Sequence, residues 1–180
     1  SVEGTGYSPL EGTVKTFSYN GTLQELTLPA GVNTCTVFMW GAGGTTGIGG
    51  YTESTITLPS TGMTLYISVG KAGDTERGGG ASYVYTMTDG VYTEILVAGG
   101  GGVESGGGLI SEGDSPATQL TGLKETGIYN GVGPENGSGG GYYSGSNGSG
   151  GSGFVGSNVV VESFGVSKNT HGSSRDSRED

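Results

Sequence analysis

Val32-Asn33-Thr34-Cys35-Thr36-Val37-Phe38-Met39-Trp40-Gly41-Ala42-Gly43-Gly44 is the stretch on which the fold turns. Its first part alternates with the period of two that marks a strand. Cys35, Val37 and Met39 fall on one side, Thr36, Phe38 and Trp40 on the other. Apolar residues on both sides predict a central strand covered on both faces. The strand then runs straight into glycine. The same join recurs twice. Leu65-Tyr66-Ile67-Ser68-Val69 meets Gly70, and Leu96-Val97-Ala98 meets Gly99-Gly100-Gly101-Gly102. Glycine makes up 42 of the 180 residues, and it is gathered where strands end. The layout predicts an all-β protein, an antiparallel jelly-roll-like β-sandwich with glycine-rich insertions.

Working outward, 13–19 and 23–28 read as strands flanking Asn20-Gly21, a dipeptide that favours a type I′ hairpin turn. Residues 51–58 form another strand. In 63–69, Met63, Leu65, Ile67 and Val69 alternate with Thr64, Tyr66 and Ser68, the pattern of a half-buried antiparallel strand. Residues 81–88 and 91–98 flank Asp89-Gly90, a second hairpin signal. A short strand is expected near 117–120 and a longer one over 154–163. No segment carries a helical period.

The glycine-rich stretch 99–156 is too long for an ordinary loop. Two arrangements are open to its densest part, 131–156. One is disorder. The other is a set of extended threefold helices of the polyproline II kind, polyglycine II. Such helices have no internal hydrogen bonds and hold only by exchanging backbone bonds with neighbours at close range. Glycine permits that approach but loses the most entropy on ordering, so the bundle must rest on a folded sandwich.

Composition narrows the functional classes. Five prolines and no lasting Gly-X-Y register exclude collagen. A formal net charge of −10 repels phosphate backbones and anionic bilayers, so nucleic acid is not an expected partner. No run of about 20 apolar residues is present, so no membrane insertion is expected. Cys35 is the only cysteine, which predicts a buried, inert thiol within its strand.

The ordered series Phe17-Ser18-Tyr19, Gln24-Glu25-Leu26-Thr27-Leu28-Pro29-Ala30-Gly31-Val32, Trp40-Gly41-Ala42-Gly43-Gly44 and Gly50-Tyr51 continues through Gly79-Gly80-Ala81-Ser82 to Gly99-Gly100-Gly101-Gly102. It resembles the glycine-rich domain of bacterial, phage and protist surface proteins. It is similar, too, to the extracellular glycine-rich region of the anaplastic lymphoma kinase and leukocyte tyrosine kinase receptors. The resemblance covers roughly residues 17 to 161. It implies a jelly-roll-like sandwich carrying glycine helices, and a non-catalytic role in recognition or assembly. The chain lacks those receptors' many cysteines.

Catalytic patterns are poorly represented. Gly148-Ser149-Gly150-Gly151-Ser152-Gly153 matches the spacing of a dinucleotide-binding loop, but a strand follows where that loop would open a helix. His171, the one histidine, stands in a polar tail, which offers no frame for a triad or a zinc site. Asp74 with Glu76, and Glu112 with Asp114, are acidic loop pairs that offer oxygen ligands to calcium, but facing water is the expected role. No enzyme and no cofactor or metal are expected. Trp40 is expected in the core.

Tyr129, Tyr142 and Tyr143 stand among the glycines and are the candidate ligand-binding residues, because tyrosine stacks on sugars and anchors protein partners. For Tyr142 and Tyr143 the other reading is that they pack on the sandwich and pin the glycine segment. Asn20, Asn136 and Asn147 open N-glycosylation sequons. The expected organisation is an extended arm over 1–12, the sandwich over 13–163, and a polar tail over 164–180. The expected function is a recognition or adhesion module exposed on a cell or virion, extracellular, binding a glycan or a surface protein. The alternative is a structural subunit of a filament, appendage or coat, its partners being copies of itself joined by arms and strand edges.

Overall fold

The computed structural model describes residues 2–6, 13–104, 123–124, 141–144, 148–156 and 159–164. These form β1 (Val2–Gly6), β2 (Thr13–Phe17), β3 (Gln24–Leu28), β4 (Thr34–Trp40), β5 (Tyr51–Thr57) and β6 (Met63–Ser68). They continue as β7 (Ser82–Thr88), β8 (Val91–Ala98), β9 (Leu123–Lys124), β10 (Tyr143–Ser144), β11 (Phe154–Val155) and β12 (Val159–Phe164). No helix occurs among the described residues, and so none is long and apolar enough to cross a membrane.

Two five-stranded sheets carry the fold, in the orders β12-β5-β4-β1-β2 and β11-β8-β7-β6-β3, while β9 and β10 pair with each other. Every pair of neighbours is antiparallel. One apolar cluster joins the sheets. Cys35, Val37, Met39 and Ile56 from the first meet Leu65, Ile67, Val84 and Leu96 from the second, all buried. Each such Val, Leu or Ile side chain stabilises the fold by about 1.5–3 kcal/mol relative to exposure. Period-two alternation is what makes this possible, since it sends every second residue to one face.

The sandwich has two unlike ends. At one, β4 runs out through 41–50 and returns as β5, β6 runs out through 69–81 and returns as β7, and β8 runs out into 99–102. The chain comes back to this end through 148–153 before β11. All the described glycine runs therefore stand together. The opposite end has the short turns at 29–33, 58–62 and 89–90.

The two hairpin dipeptides come out differently. Asp89 and Gly90 both have positive φ, 51° and 77°, as a type I′ turn requires, and they join β7 to β8 with Thr88 opposite Val91. At Asn20-Gly21 only Gly21 is left-handed, with φ 75°. The Asn20 side chain instead accepts hydrogen bonds from the backbone N–H and the hydroxyl of Thr22, at 2.9 and 2.8 Å. This asparagine turn carries the chain across the sandwich, from β2 in the first sheet to β3 in the second. The expected hairpin is thus a crossover. The asparagine side chain holds the turn by itself, while β2 and β3 take their ladder partners from β1 and β6.

Three further expectations are corrected. The N-terminal arm is in part a strand: β1 lies inside the first sheet, between β2 and β4. β4 is central in its sheet but covered fully on one face only, because Thr36 and Phe38 are half-buried. The strand expected over 154–163 divides into β11 and β12, which join different sheets. The strand expected near 117–120 and the tail beyond 164 lie outside the described residues.

Candidate functional site: the glycine bundle and its loop tips

The backbone bonds among the glycine runs follow a rotating pattern. The carbonyls of Gly99, Gly100, Gly101 and Gly102 accept from the N–H groups of Gly50, Gly151, Gly79 and Gly47, at 2.7, 2.8, 2.7 and 3.1 Å. Three consecutive residues thus bond three different runs, and the fourth returns to the first. The close approaches rotate in the same way. A Cβ at Gly99, Gly100, Gly101 or Gly102 would lie under 3.0 Å from backbone of Gly151, Gly79, Gly47 and Gly148 respectively. No side chain fits on this segment, because neighbouring backbone stands on every side of it.

The bundle is joined to the sandwich by buried hydroxyls. Ser82 Oγ donates to the Trp40 carbonyl at 2.6 Å and accepts from Gly70 N–H at 3.0 Å, so one serine ties the exits of β4 and β6. Trp40 is buried as expected and packs on Tyr51 with ring centroids 5.1 Å apart. Ser152 Oγ accepts from Tyr143 N–H at 3.0 Å. Tyr83 hydroxyl donates to the Gly141 carbonyl at 2.9 Å.

At the far end of the bundle the loop tips are locked to one another. In the first excursion Gly44 N–H reaches Gly47 carbonyl at 2.7 Å, leaving Thr45 and Thr46 exposed at the turn. Thr45 hydroxyl donates to the Asp74 carbonyl in the second excursion. Thr46 gives both its N–H and its hydroxyl to the Val103 carbonyl, at 3.1 and 2.6 Å. Glu104 N–H in turn meets the Gly148 carbonyl at 3.3 Å. Two adjacent threonines therefore clamp three separate loops into one surface.

Asp74 organises the second tip. Its Oδ1 accepts from the N–H groups of Glu76 and Arg77, both at 2.8 Å. Those bonds, Arg77 first, hold its carboxyl below the ordinary value of 3.8. The carboxylate is thus occupied in its own loop. Asp74, Thr75, Glu76 and Glu104 are exposed, and Arg77 lies beside them half-buried. The surface is polar, largely acidic and cross-bonded.

Of the candidate tyrosines, Tyr142 and Tyr143 lie away from these tips. Tyr142 and Tyr143 come together, ring edge to ring face at 5.2 Å, and both are half-buried. Tyr142 stacks on Phe154 at 4.1 Å and 11° and packs on the Ala81, Tyr83, Tyr85 and Val97 cluster. Its N–H bonds the Ser152 carbonyl at 3.0 Å, and Ser152 N–H bonds the Tyr143 carbonyl at 2.9 Å. Tyr142 thus lies between Phe154 and the second sheet, with Tyr143 beside it. Tyr129, Asn136 and Asn147 lie outside the described residues, as do His171, Glu112 and Asp114. Asn20 is exposed in the crossover turn. The 148–153 motif leads into β11, with no helix to receive a phosphate.

Sequence reading missed Thr45 and Thr46 and set Asp74 and Glu76 aside as solvated, because threonine and acidic residues in a glycine loop look like ordinary surface residues. Their one legible signal was position, since each stands midway between two glycine runs. Compared with known proteins, the chain matches no protein-family model and no curated protein sequence.

Proposed function

We propose that this chain is a non-enzymatic recognition module. A jelly-roll-like sandwich is its scaffold, a polyglycine II bundle its stalk, and the clamped loop tips its binding face. The observation that carries this is the pair of hydroxyl bonds from Thr45 and Thr46, which fix loops from separate parts of the chain in one surface. Exposed loops on a rigid frame bind with little ordering cost. The acidic, hydroxyl-bearing tip suits a glycan or a protein surface that offers donors, and disfavours polyanions. The resemblance to glycine-rich surface domains supports the same reading, with the module outside a cell or on a virion.

The test is a glycan and surface-protein binding screen with the wild-type chain, repeated with Glu76→Ala and Glu104→Ala together. Both residues are exposed, so the fold should be unchanged. The expected result is loss of the ligand at constant melting temperature. Ligand binding equal to wild type overturns this choice of face.

The second reading is a structural subunit of an extracellular filament, appendage or coat. It is favoured by the first sheet, whose outer strands β2 and β12 have neighbours on one side only among the described residues. Open edges can add strands from another chain.

A further inference from the structure

Asn20-Gly21 is the one Asn-Gly step whose two residues are both described. Asn20 is exposed, and its side-chain amide is folded back along its own chain. Its Oδ1 accepts from the Thr22 N–H at 2.9 Å and from the Thr22 hydroxyl at 2.8 Å. The first of these bonds reaches past Gly21, so it lays the amide over the Gly21 backbone. Two donors on one carbonyl oxygen withdraw electron density from Cγ. They also stand where negative charge collects when Cγ is attacked.

The nucleophile is the next backbone nitrogen. Gly21 N–H makes no hydrogen bond among the described residues. Glycine puts no side chain beside that nitrogen, and its φ of 75° is one that other residues rarely hold. A Cβ at Gly21 would touch only the end of the Tyr19 ring, 3.5 Å from its hydroxyl, so no other backbone confines the turn. The stems of the turn are held by Gln24, whose side-chain amide donates to the Ser18 carbonyl at 2.9 Å. Asn33 supplies the contrast. It is exposed too, but Thr34 after it is β-branched and lies in β4 opposite Thr57. The nitrogen of Thr34 is screened by a stiff side chain and held in a sheet.

We propose that Asn20-Gly21 is a self-modification site, at which the chain converts its own asparagine to aspartate and isoaspartate through a cyclic imide. The Gly21 nitrogen forms a bond to Asn20 Cγ, and the Cγ–Nδ2 bond breaks. The proton of the Gly21 N–H passes through solvent to Nδ2, which leaves as ammonia. Water then opens the ring. Opening at Cγ gives aspartate. Opening at the main-chain carbonyl carbon gives isoaspartate, with the backbone running through Cβ and Cγ. Nothing is oxidised or reduced, and water is the only co-reactant. Either product adds a negative charge. Isoaspartate also lengthens the main chain at the crossover from the first sheet to the second. The change is slow, irreversible and independent of the loop tips.

The experiment uses the full chain, produced without sugar because Asn20 also opens a sequon. It is kept in mildly alkaline buffer below its melting temperature, beside a sample unfolded in urea. Peptide mass spectrometry with fragmentation follows each asparagine against time, and enzymatic methylation scores isoaspartate. The expected result is deamidation with isoaspartate at Asn20, no slower in the native chain than in urea, while Asn33 stays intact in the native chain. Thr22→Val removes the hydroxyl and keeps the N–H. It should slow Asn20 roughly two- to tenfold, the worth of one hydrogen bond, whereas Thr22→Ser should react like wild type. Circular dichroism checks that both variants keep the β-sheet signal, and the comparison of native with unfolded wild type needs no variant. A native Asn20 that outlasts the unfolded one overturns the proposal, because the fold then shields the site. Equal rates in Thr22→Val and wild type overturn it as well, since the turn then gives no help. Aspartate without isoaspartate overturns the imide route.

Discussion

Gly99 and Gly102 face the same neighbour. A Cβ on the first would strike the backbone of Gly151, and one on the second the backbone of Gly148, both on the same returning leg. Between them Gly100 and Gly101 face two other runs. This recurrence after three residues explains why an unbroken run of four glycines follows β8. Each direction around the segment is filled by another backbone, so no position on it has room for a methyl group.

Gly100→Ala should therefore be severely destabilising. The added carbon meets the carbonyl of Gly79, which cannot rotate away. The expected loss is at or beyond the upper end of the about 1–3 kcal/mol typical of overpacking. Urea unfolding should show a lower midpoint. An unchanged midpoint would mean the bundle is not packed as described.

Ser82→Ala removes one hydroxyl but disturbs two sheet exits. Gly70 N–H loses the Ser82 acceptor and the Trp40 carbonyl loses the bond from Ser82, both at a buried site. The expected cost is about 1–3 kcal/mol for the buried groups left unsatisfied. Amide exchange at Gly70 should accelerate more than at Val84 in the middle of β7. Equal protection at Gly70 before and after substitution would show that the serine is not the link.

Tyr142→Ala tests pinning against ligand contact. Loss of the stack on Phe154 should cost about 0.5–1.5 kcal/mol beyond the area it buries. Melting temperature should fall, with the largest chemical-shift changes at Phe154 and Ser152. A variant as stable as wild type that loses ligand would return this tyrosine to the binding face.

Asp89→Ala places an ordinary side chain at φ 51°. The expected cost is about 1 kcal/mol, that of holding a β-carbon residue in the left-handed region. Asp89→Asn should be nearly neutral, since asparagine tolerates that region. Equal stability of both variants, measured by thermal unfolding, would show that the turn relaxes.

Acid should loosen the 74–77 tip. The folded Asp74 carboxyl titrates below its ordinary 3.8, chiefly through the bonds from Arg77 and Glu76 N–H. A depressed value means the stabilisation is fully present above about 3.8 and is lost as pH falls through the folded value. Glu76 and Arg77 amide resonances should shift in that acid range. In Asp74→Asn the carboxyl-dependent part of this shift should vanish.

Alternation and glycine placement were enough to read the all-β class, the β7–β8 hairpin, the half-buried β6 and the buried Cys35, because each depends on residues a few positions apart. The crossover at Asn20, the insertion of β1 and the division of the last strand were not legible. Each is settled by which distant backbone offers a partner, and a strand carries the same local pattern in either sheet. The tips were hidden for the same reason, since nothing in Thr45-Thr46 reveals that Asp74 and Val103 lie beside it. Sequence by itself determined where chain could pack backbone against backbone, since only glycine leaves that space free. Tertiary structure alone decided which backbones met there, because hydrogen bonds between bare peptide groups carry no residue identity, and the sandwich beneath them sets the pairing.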